Sequence, residues 1–552
     1  MGNDNPKTVE PGAEKTEARL LAKVIVAEKI AESGVEVLRQ EHEVDPRFGI
    51  KQAELLEIVE DCDALIVRSV IKVNEELLSR AKNLKVVGRA GNGIDNIQVP
   101  ACTRRGILVV NTPESNTISA AEHTIALLLS SIRSIPRSTA QLKSGGWDRT
   151  PFKGVELYGK TIGIVGLGRI GSMVATRLAA FGTKVIAYDP YISDERFRRF
   201  GVEKIEDLNQ LVQRADVITV HTPRTEETMG MIGEEQFGLA KKGVIVVNCA
   251  RGGIINEAAL LKAMREGTVA YAGLDVFERE PSPGNPLFEL EKIAVSPHCG
   301  ADTDEAQDRV GFTIAAQVNS ALRGEIVPNA VNLPTLREDQ LGALTPYLDL
   351  AEKMGKVYFQ LTREPVDRLE FTYSGRVAAL DTEMITVSFL KGLLEPVLGE
   401  QVNYVNAPIQ AENRGIKQVV SREEPNGLRE SEFNTLIEVK IFSSKGGFEI
   451  AGTISTRSEP RLVVLKGYET DTNPTGTIIY VENLDQPGVV GSLTTVLGQA
   501  RINIAMMEVT RRERGETALM AISVEADSEI DKEVVSRLKA VEGVLDVKVV
   551  SF

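Results

Sequence analysis

Cysteine is scarce in this 552-residue chain: only Cys62, Cys102, Cys249 and Cys299 occur, widely spaced and without a CxxC pair. That pattern excludes a disulfide framework and a zinc ribbon and suits a reduced compartment, so no structural metal is expected. Long apolar runs are missing too, and no stretch reaches the roughly 18 consecutive apolar residues of a membrane span. The leader Met1 to Glu17 carries Asp4, Glu10, Glu14 and Glu17, lacking both the apolar core of a secretory signal and the acid-poor character of a transit peptide. Residues 1–21 therefore read as a disordered leader, and the cytoplasm as the address. An excess of positive charge is also absent. With 64 basic against 78 acidic residues, net −14, the chain as a whole attracts neither nucleic acid nor an anionic membrane; an anionic small molecule would need specific arginines. Histidine occurs four times (His42, His123, His221, His298), which leaves few candidates for proton transfer at neutral pH.

The length suggests roughly three or four domains. From Ala22, apolar runs alternate with helix-patterned segments: Lys23-Val24-Ile25-Val26-Ala27, Ala64-Leu65-Ile66-Val67, Lys85-Val86-Val87-Gly88 and Ile107-Leu108-Val109-Val110. Such alternation predicts a parallel sheet covered on both faces. A second series opens at Thr161-Ile162-Gly163-Ile164-Val165, followed at once by Gly166-Leu167-Gly168-Arg169-Ile170-Gly171 and a helix pattern. Glycines in a strand-turn-helix permit a sharp turn and let backbone N–H groups approach a pyrophosphate. The next strand-like run, Thr183 to Tyr188, ends in Asp189, 21 residues beyond Gly168. A carboxylate there accepts hydrogen bonds from a ribose diol and repels a 2′-phosphate, which favours NAD over NADP. The plain alternative, that Asp189-Pro190 only opens a turn, does not account for strand, loop, helix, strand and acid arriving in order.

Three charged groups fall near later strand ends: Arg251 in Asn248-Cys249-Ala250-Arg251-Gly252-Gly253, Glu280 in Asp275-Val276-Phe277-Glu278-Arg279-Glu280-Pro281, and His298 in Ser296-Pro297-His298-Cys299-Gly300. Oxidising a secondary alcohol by hydride transfer needs a base, a cation for an anionic substrate and a nicotinamide held against the reacting carbon. Histidine suits the first task, a carboxylate partner fixes its tautomer, and an arginine fork suits the second. Each has a structural alternative. Arg251 could cap a strand or pair with Glu257, and His221 in His221-Thr222-Pro223 competes with His298.

Together these blocks resemble the D-isomer-specific 2-hydroxyacid dehydrogenases over roughly Ala22 to Pro334. The resemblance implies that Arg251 binds the substrate's carboxylate and carbonyl, His298 is the acid/base and Glu280 its partner. It implies NAD held by Gly166, Gly168, Arg169, Ile170, Gly171, Asp189, Thr222, Pro223, Cys249, Ala250, Asp275 and Gly300. It also implies an α/β fold in which a Rossmann-type nucleotide domain (119–299) is inserted in a flavodoxin-like substrate domain (22–118 and 300–332). The blocks Ile66-Val67-Arg68-Ser69 and Val87-Gly88-Arg89-Ala90-Gly91-Asn92-Gly93 resemble the substrate loops of members acting on 3-phosphoglycerate. Arg68, Ser69, Arg89, Asn92 and Gly93 are thus expected at a phosphorylated hydroxyacid. Trp147-Asp148-Arg149 resembles a subunit-crossing segment, which implies that Arg149 reaches a neighbouring active site.

Beyond Pro334, residues 335–470 carry no nucleotide-loop or catalytic signature and read as mixed α and β. Residues 477–552 follow the order β-α-β-β-α-β of ferredoxin-like folds and resemble an ACT domain. The middle segment resembles the intervening domain of the family's long members. The ACT resemblance implies a serine effector at Asn483, Asp485 and Asn503, and a homodimer or homotetramer. The expected reaction is NAD-dependent oxidation of 3-phosphoglycerate. Its rivals are a reductase of glyoxylate, hydroxypyruvate or 2-hydroxyglutarate, and a non-catalytic NAD-sensing scaffold.

Overall fold

A computed structural model describes residues 21–334, 338–423, 433–511, 516–525 and 530–552. The expected leader, Leu21 apart, lies outside the described residues. The first sheet holds β1 (Lys23–Val26), β2 (Glu43–Pro46), β3 (Ala64–Val67), β4 (Val86–Arg89) and β5 (Leu108–Asn111) in the order β2-β1-β3-β4-β5. All pairings are parallel, and the order is that of flavodoxin-like folds. Successive side chains alternate between two cores. Ile25, Leu65, Val87 and Val109 enter one, while Val24, Val26, Ile66 and Val110 enter the other. The second core is completed from far downstream, by Val310, Ile314 and Val318 of the helix Asp304–Leu322. Val331 then donates its N–H to Val109 O at 2.7 Å, and Asn332 accepts from Val109 N at 2.9 Å. The chain thus leaves this sheet after β5 and returns to it near residue 304.

Between those crossings lies the second sheet: β6 (Thr161–Val165), β7 (Lys184–Tyr188), β8 (Glu203–Lys204), β9 (Val217–Val220), β10 (Val244–Asn248), β11 (Val269–Leu274) and β12 (Ile293–Val295). Its order, β12-β11-β10-β9-β6-β7-β8, is parallel throughout. The strand order reverses between β6 and β9, and that switch point opens the crevice in which doubly wound sheets bind ligands. The helix Thr117–Ile132 packs on β10, β11 and β12, so this domain begins with a helix.

The carboxy-terminal sheets are built differently. A third sheet contains β13 (Arg368–Gly375), β14 (Lys417–Glu423), β15 (Thr435–Ser443), β16 (Gly446–Ile454), β17 (Pro460–Leu465) and β18 (Tyr468–Thr472), ordered β14-β13-β15-β16-β17-β18. Only the β13–β14 pair is parallel. The helices Glu338–Thr362 and Thr382–Leu398 pack on each other and on this sheet, with Tyr358 edge-on to Phe448 and Phe389 edge-on to Phe371. The fourth sheet, β19 (Thr477–Leu484), β20 (Asn503–Arg511), β21 (Thr517–Glu525) and β22 (Val544–Ser551), is antiparallel in the order β20-β21-β19-β22. One face (Ile479, Val481, Met520, Ile522) packs with Leu493, Leu497 and Leu538 of the helices Val489–Gln499 and Lys532–Lys539. The other face (Ile478, Tyr480, Leu519, Ala521, Val550) joins the core of the third sheet. The two carboxy-terminal domains therefore share one apolar cluster.

Candidate active site

Every cleft group stands at or just beyond the carboxyl end of a parallel strand. After β6, Gly166 takes φ 91°, a left-handed conformation that glycine adopts without steric cost. Gly171 lies so close to Gly166 O that a Cβ could not be accommodated, whereas a Cβ on Gly168 would meet nothing within 4 Å. Gly168 opens the helix Arg169–Ala179, so the cradle above it is bounded by backbone N–H groups and the positive end of the helix. Asp189, just past β7, accepts from Leu167 N at 2.9 Å and from Tyr191 N at 3.0 Å. Its carboxylate thereby faces the glycine loop. Beyond β9, Thr222 Oγ1 is buried without a hydrogen-bond partner, and Pro223 is exposed beside it. Arg169 pairs with Glu114 at 3.2 Å, and Ile170 is partly buried against the core. An open cradle at Gly168 and an orphaned hydroxyl at Thr222 fit a dinucleotide.

His298 and Glu280 meet as expected, Nδ1 to Oε2 at 2.6 Å. The other Glu280 oxygen accepts from Phe277 N at 2.9 Å. Burial works to raise the Glu280 carboxyl, but the hydrogen bonds from His298 and Phe277 outweigh it and hold it below its ordinary value. The same hydrogen bond pushes the His298 imidazole up against the opposing pull of burial. Nε2 takes part in none of the described hydrogen bonds, and the ring is more basic than an ordinary imidazole. His298 sits at φ 54°, a conformation costing a non-glycine residue about 1–3 kcal/mol. Asp275 holds it there: its carbonyl accepts from His298 N at 2.8 Å. Its carboxylate accepts from Ser296 Oγ at 2.6 Å, Cys299 N at 3.0 Å and Gly300 N at 2.8 Å.

The sequence motif places Asp275 at the cofactor. Its carboxylate is engaged within the 296–300 turn, buttressed by His123, whose Nε2 lies 2.8 Å from Ser296 Oγ. His123, Asp275 and Cys299 bring three metal-type donor atoms within 4.8 Å of one another, but those hydrogen bonds occupy the carboxylate. The competing His221 is packed against Thr219 Oγ1 at 3.0 Å, and burial pushes it down to about 4. A ring that stays neutral and internally bonded is a poor proton acceptor. Cys249, whose thiol burial pushes up to about 12, and Ala250, whose N–H donates to Asn248 Oδ1 at 2.9 Å, lead into Arg251.

Arg251 does not pair with Glu257, which binds Asn285. Its Nη1 donates to Ala250 O at 2.7 Å, and its Nε lies 3.6 Å from Asp95 of the first domain. Asn248, 2% exposed, donates to Arg251 O at 2.9 Å and so sets the loop. From the first domain, Gly93 approaches so closely that a Cβ would come within 2.5 Å of Arg251 Nη2. Arg89 lies within electrostatic range of Arg251 and Arg68, and burial together with those two cations lowers its guanidinium to about 10. It remains protonated at neutral pH. Arg89 Nη1 bonds Ala90 O at 2.9 Å, but Nε is buried without a partner. Arg68 reaches only a 3.9 Å contact to Asp302 as an ion pair. Ser69 is exposed, and the Asn92 carbonyl accepts from Asn111 at 2.8 Å.

A residue the motifs did not reveal holds this loop. Glu28, just past β1 and 9% exposed, accepts from the N–H groups of Arg68, Ser69, Val70 and Ile71 at 2.7–3.2 Å. The one available signal is an acid directly after a buried strand. Arg149 is not brought into the cleft: it is exposed, beside a Trp147 that is 84% exposed, and makes no ion pair among the described residues.

The expected effector residues are not gathered within one chain. Asn483, 2% exposed, stands on β19 opposite Ala518, with Asp485 just beyond, whereas Asn503 stands on β20 opposite Glu525. Seven residues of β21 separate those positions, about 23 Å at ~3.3 Å per residue. Asn483 Nδ2 bonds Leu484 O at 2.7 Å, Asp485 pairs with Arg511 at 3.1 Å, and Asn503 bonds Glu525 at 2.8 Å.

Comparisons with known proteins agree with this fold. A family model described as the NAD binding domain of D-isomer specific 2-hydroxyacid dehydrogenases matches residues 125–300. A D-3-phosphoglycerate dehydrogenase intervening domain matches 343–466, and an ACT domain matches 477–543. The chain is 43% identical over 531 residues to the D-3-phosphoglycerate dehydrogenase of Methanocaldococcus jannaschii, covering 96% of this chain and all of that one. It is 40% identical to the Bacillus subtilis enzyme of the same name, covering 96% of this chain and 99% of that one. Among solved structures it resembles the TT0316 protein of Thermus thermophilus (TM-score 0.53, 32% identity, 56% of this chain and 99% of that one). It also resembles the D-lactate dehydrogenase of Aquifex aeolicus complexed with NAD and lactic acid (TM-score 0.50, 28% identity, 57% and 100%).

Proposed function

We propose that this chain, which belongs to the D-3-phosphoglycerate dehydrogenase family, oxidises D-3-phosphoglycerate to 3-phosphohydroxypyruvate with NAD, the entry step of L-serine biosynthesis. The observation that carries the substrate is the convergence of Arg68, Arg89 and Arg251, whose acidic neighbours Asp302 and Asp95 stand no closer than 3.9 and 3.6 Å, with Arg89 Nε unpaired. Three cations facing one cleft favour a ligand carrying both a carboxylate and a phosphate. In this reading Arg251 orients the carboxylate and the oxygen on C2, and Arg68 and Arg89 bind the remaining negative charge. His298 Nε2 takes the hydroxyl proton as the C2–H bond breaks. Glu280 fixes the reactive tautomer through Nδ1 and stabilises the imidazolium that forms. Gly166, Gly168, Gly171 and Asp189 would hold NAD, which when bound supplies the hydride acceptor.

The same reading assigns serine as effector, bound by Asn483 and Asp485 of one copy and Asn503 of a second, since one chain cannot bring them together. A homodimer or homotetramer in the cytoplasm follows. No described helix is long and apolar enough to cross a membrane. Formation of NADH from D-3-phosphoglycerate, D-glycerate and D-2-hydroxyglutarate, each with and without serine, tests it. A strong preference for the phosphorylated acid is expected. Equal rates with D-glycerate would overturn the role given to the arginines.

A further inference from the structure

The junction of the third and fourth sheets holds a cavity of about 530 Å³, remote in sequence from every residue of the dehydrogenase cleft. Its walls come from β15 (Lys440, Phe442), the start of β16 (Gly447, Phe448, Glu449), the β17–β18 turn (Lys466, Gly467, Tyr468), and Glu482 and Thr517 of the fourth sheet. The volume lies within the range of about 300–1,000 Å³ typical of small-molecule sites.

The charges of the lining are balanced. Lys440 and Lys466 face Glu449 and Glu482, so the field favours neither a simple anion nor a simple cation. Apolar surface is supplied by Phe442 and Phe448. Two contacts cross the junction at the cavity wall: Lys466 Nζ lies 3.2 Å from Glu482 Oε2, and Tyr468 OH lies 2.7 Å from Thr517 Oγ1. A small molecule with one carboxylate and one ammonium could bridge a lysine on one side and a glutamate on the other, its apolar part lying on the phenylalanine rings. We propose that this cavity binds a free amino acid as its zwitterion, at a site separate from the Asn483–Asp485 turn. Side chains alternate along β19, so Glu482 points into the junction while Asn483 points to the helix-covered face. The two sites are thus back to back on one strand, and an occupant would tie the intervening and ACT domains together.

The test uses the full chain. Each free proteinogenic L-amino acid is titrated singly by calorimetry and by shift in Tm, with 4-methylvalerate, 3-phenylpropionate, isoamylamine and phenethylamine as singly charged controls. Gly447 lines the cavity and a Cβ there would meet nothing within 4 Å, so Gly447→Leu adds a bulky side chain at its wall; Asp485→Ala alters the other site. At least one amino acid should bind saturably. Its Kd should weaken at least about tenfold in Gly447→Leu and persist in Asp485→Ala, while NADH formation by Gly447→Leu without added amino acid stays unchanged. Binding by no amino acid overturns the proposal. So does binding lost in Asp485→Ala but kept in Gly447→Leu, and so does equal binding of the carboxylate-only control.

Discussion

In the amino-terminal half, residues 21–334, each cleft group hangs from the carboxyl end of a parallel strand. In the carboxy-terminal half, residues 338–552, the cavity is lined from hairpin turns and from the faces of mostly antiparallel strands. The difference lies in where a sheet leaves its polar groups. Parallel strands buried on both faces can present charge only at their ends, and those ends share one edge of the sheet, so Glu28, Arg68, Arg89, Arg251 and His298 converge without being near in sequence. Antiparallel sheets spread polar side chains along the strands, between core positions. Lys466, in the turn after β17, and Glu482 of β19 therefore meet across two domains with no local pattern around either.

The largest effect that could break this contrast is the loss of turnover in His298→Ala, expected to be about 10²–10⁴-fold with NADH binding retained in a fluorescence titration. Near-normal turnover in the folded variant would remove the edge of the second sheet from the chemistry. Next is Glu352→Gln in the carboxy-terminal half. Glu352 binds Lys391 at 2.7 Å, Lys356 at 2.9 Å and Tyr404 OH at 2.7 Å. Burial works to raise its carboxyl, but these partners hold it below its ordinary value. The variant should lose about 3 kcal/mol of stability at neutral pH with kcat/KM unaltered. Because the folded pKa is depressed, that contribution is fully present above the ordinary carboxylate value and lost as pH falls through the folded one. Denaturation curves of the two proteins should therefore converge in acid, and a constant gap would contradict the assignment.

A smaller pair of effects separates scaffold from site within one loop. Gly171→Ala should cost about 1–3 kcal/mol through overpacking against Gly166 O. Gly168→Ala should leave Tm alone and weaken NAD about tenfold, ~1.4 kcal/mol, as a methyl enters the cradle. Calorimetric titration with NAD and thermal scans distinguish them. The smallest effect is a displacement of the pH profile. His298 is raised chiefly by its bond to Glu280, so oxidation, which needs the neutral ring, should fall as pH drops through that raised value. Glu280→Gln removes the cause, and the acid limb of kcat should move to lower pH. An unmoved limb would assign it to another group.

The same contrast accounts for what could be read in advance. Both parallel sheets, the glycine loop, Asp189 and the Arg251–Glu280–His298 set were legible because each lies within a few residues of a strand end, inside a short motif. The β-α-β-β-α-β order of the last domain was legible from periodicity. The six-stranded sheet of residues 368–472 was not, since mixed pairing leaves no sequence period of its own. Nor was the anchoring of a left-handed histidine by Asp275, which its motif presents only as a ligand group. The separation of Asn503 from Asn483 depends on strand register, which a motif cannot express.

The first sheet waits for the helix Asp304–Leu322 to cover one of its faces. On a ribosome adding about 5–20 residues per second, the roughly 200 residues between β5 and the end of that helix take about 10–40 s to emerge. Through that interval Val24, Val26, Ile66 and Val110 are covered only in part, by Val35 and Leu38 of the helix Glu32–Arg39. The insertion that places the cleft between two domains thus also sets a window during synthesis in which one face of the first sheet lacks its last helix.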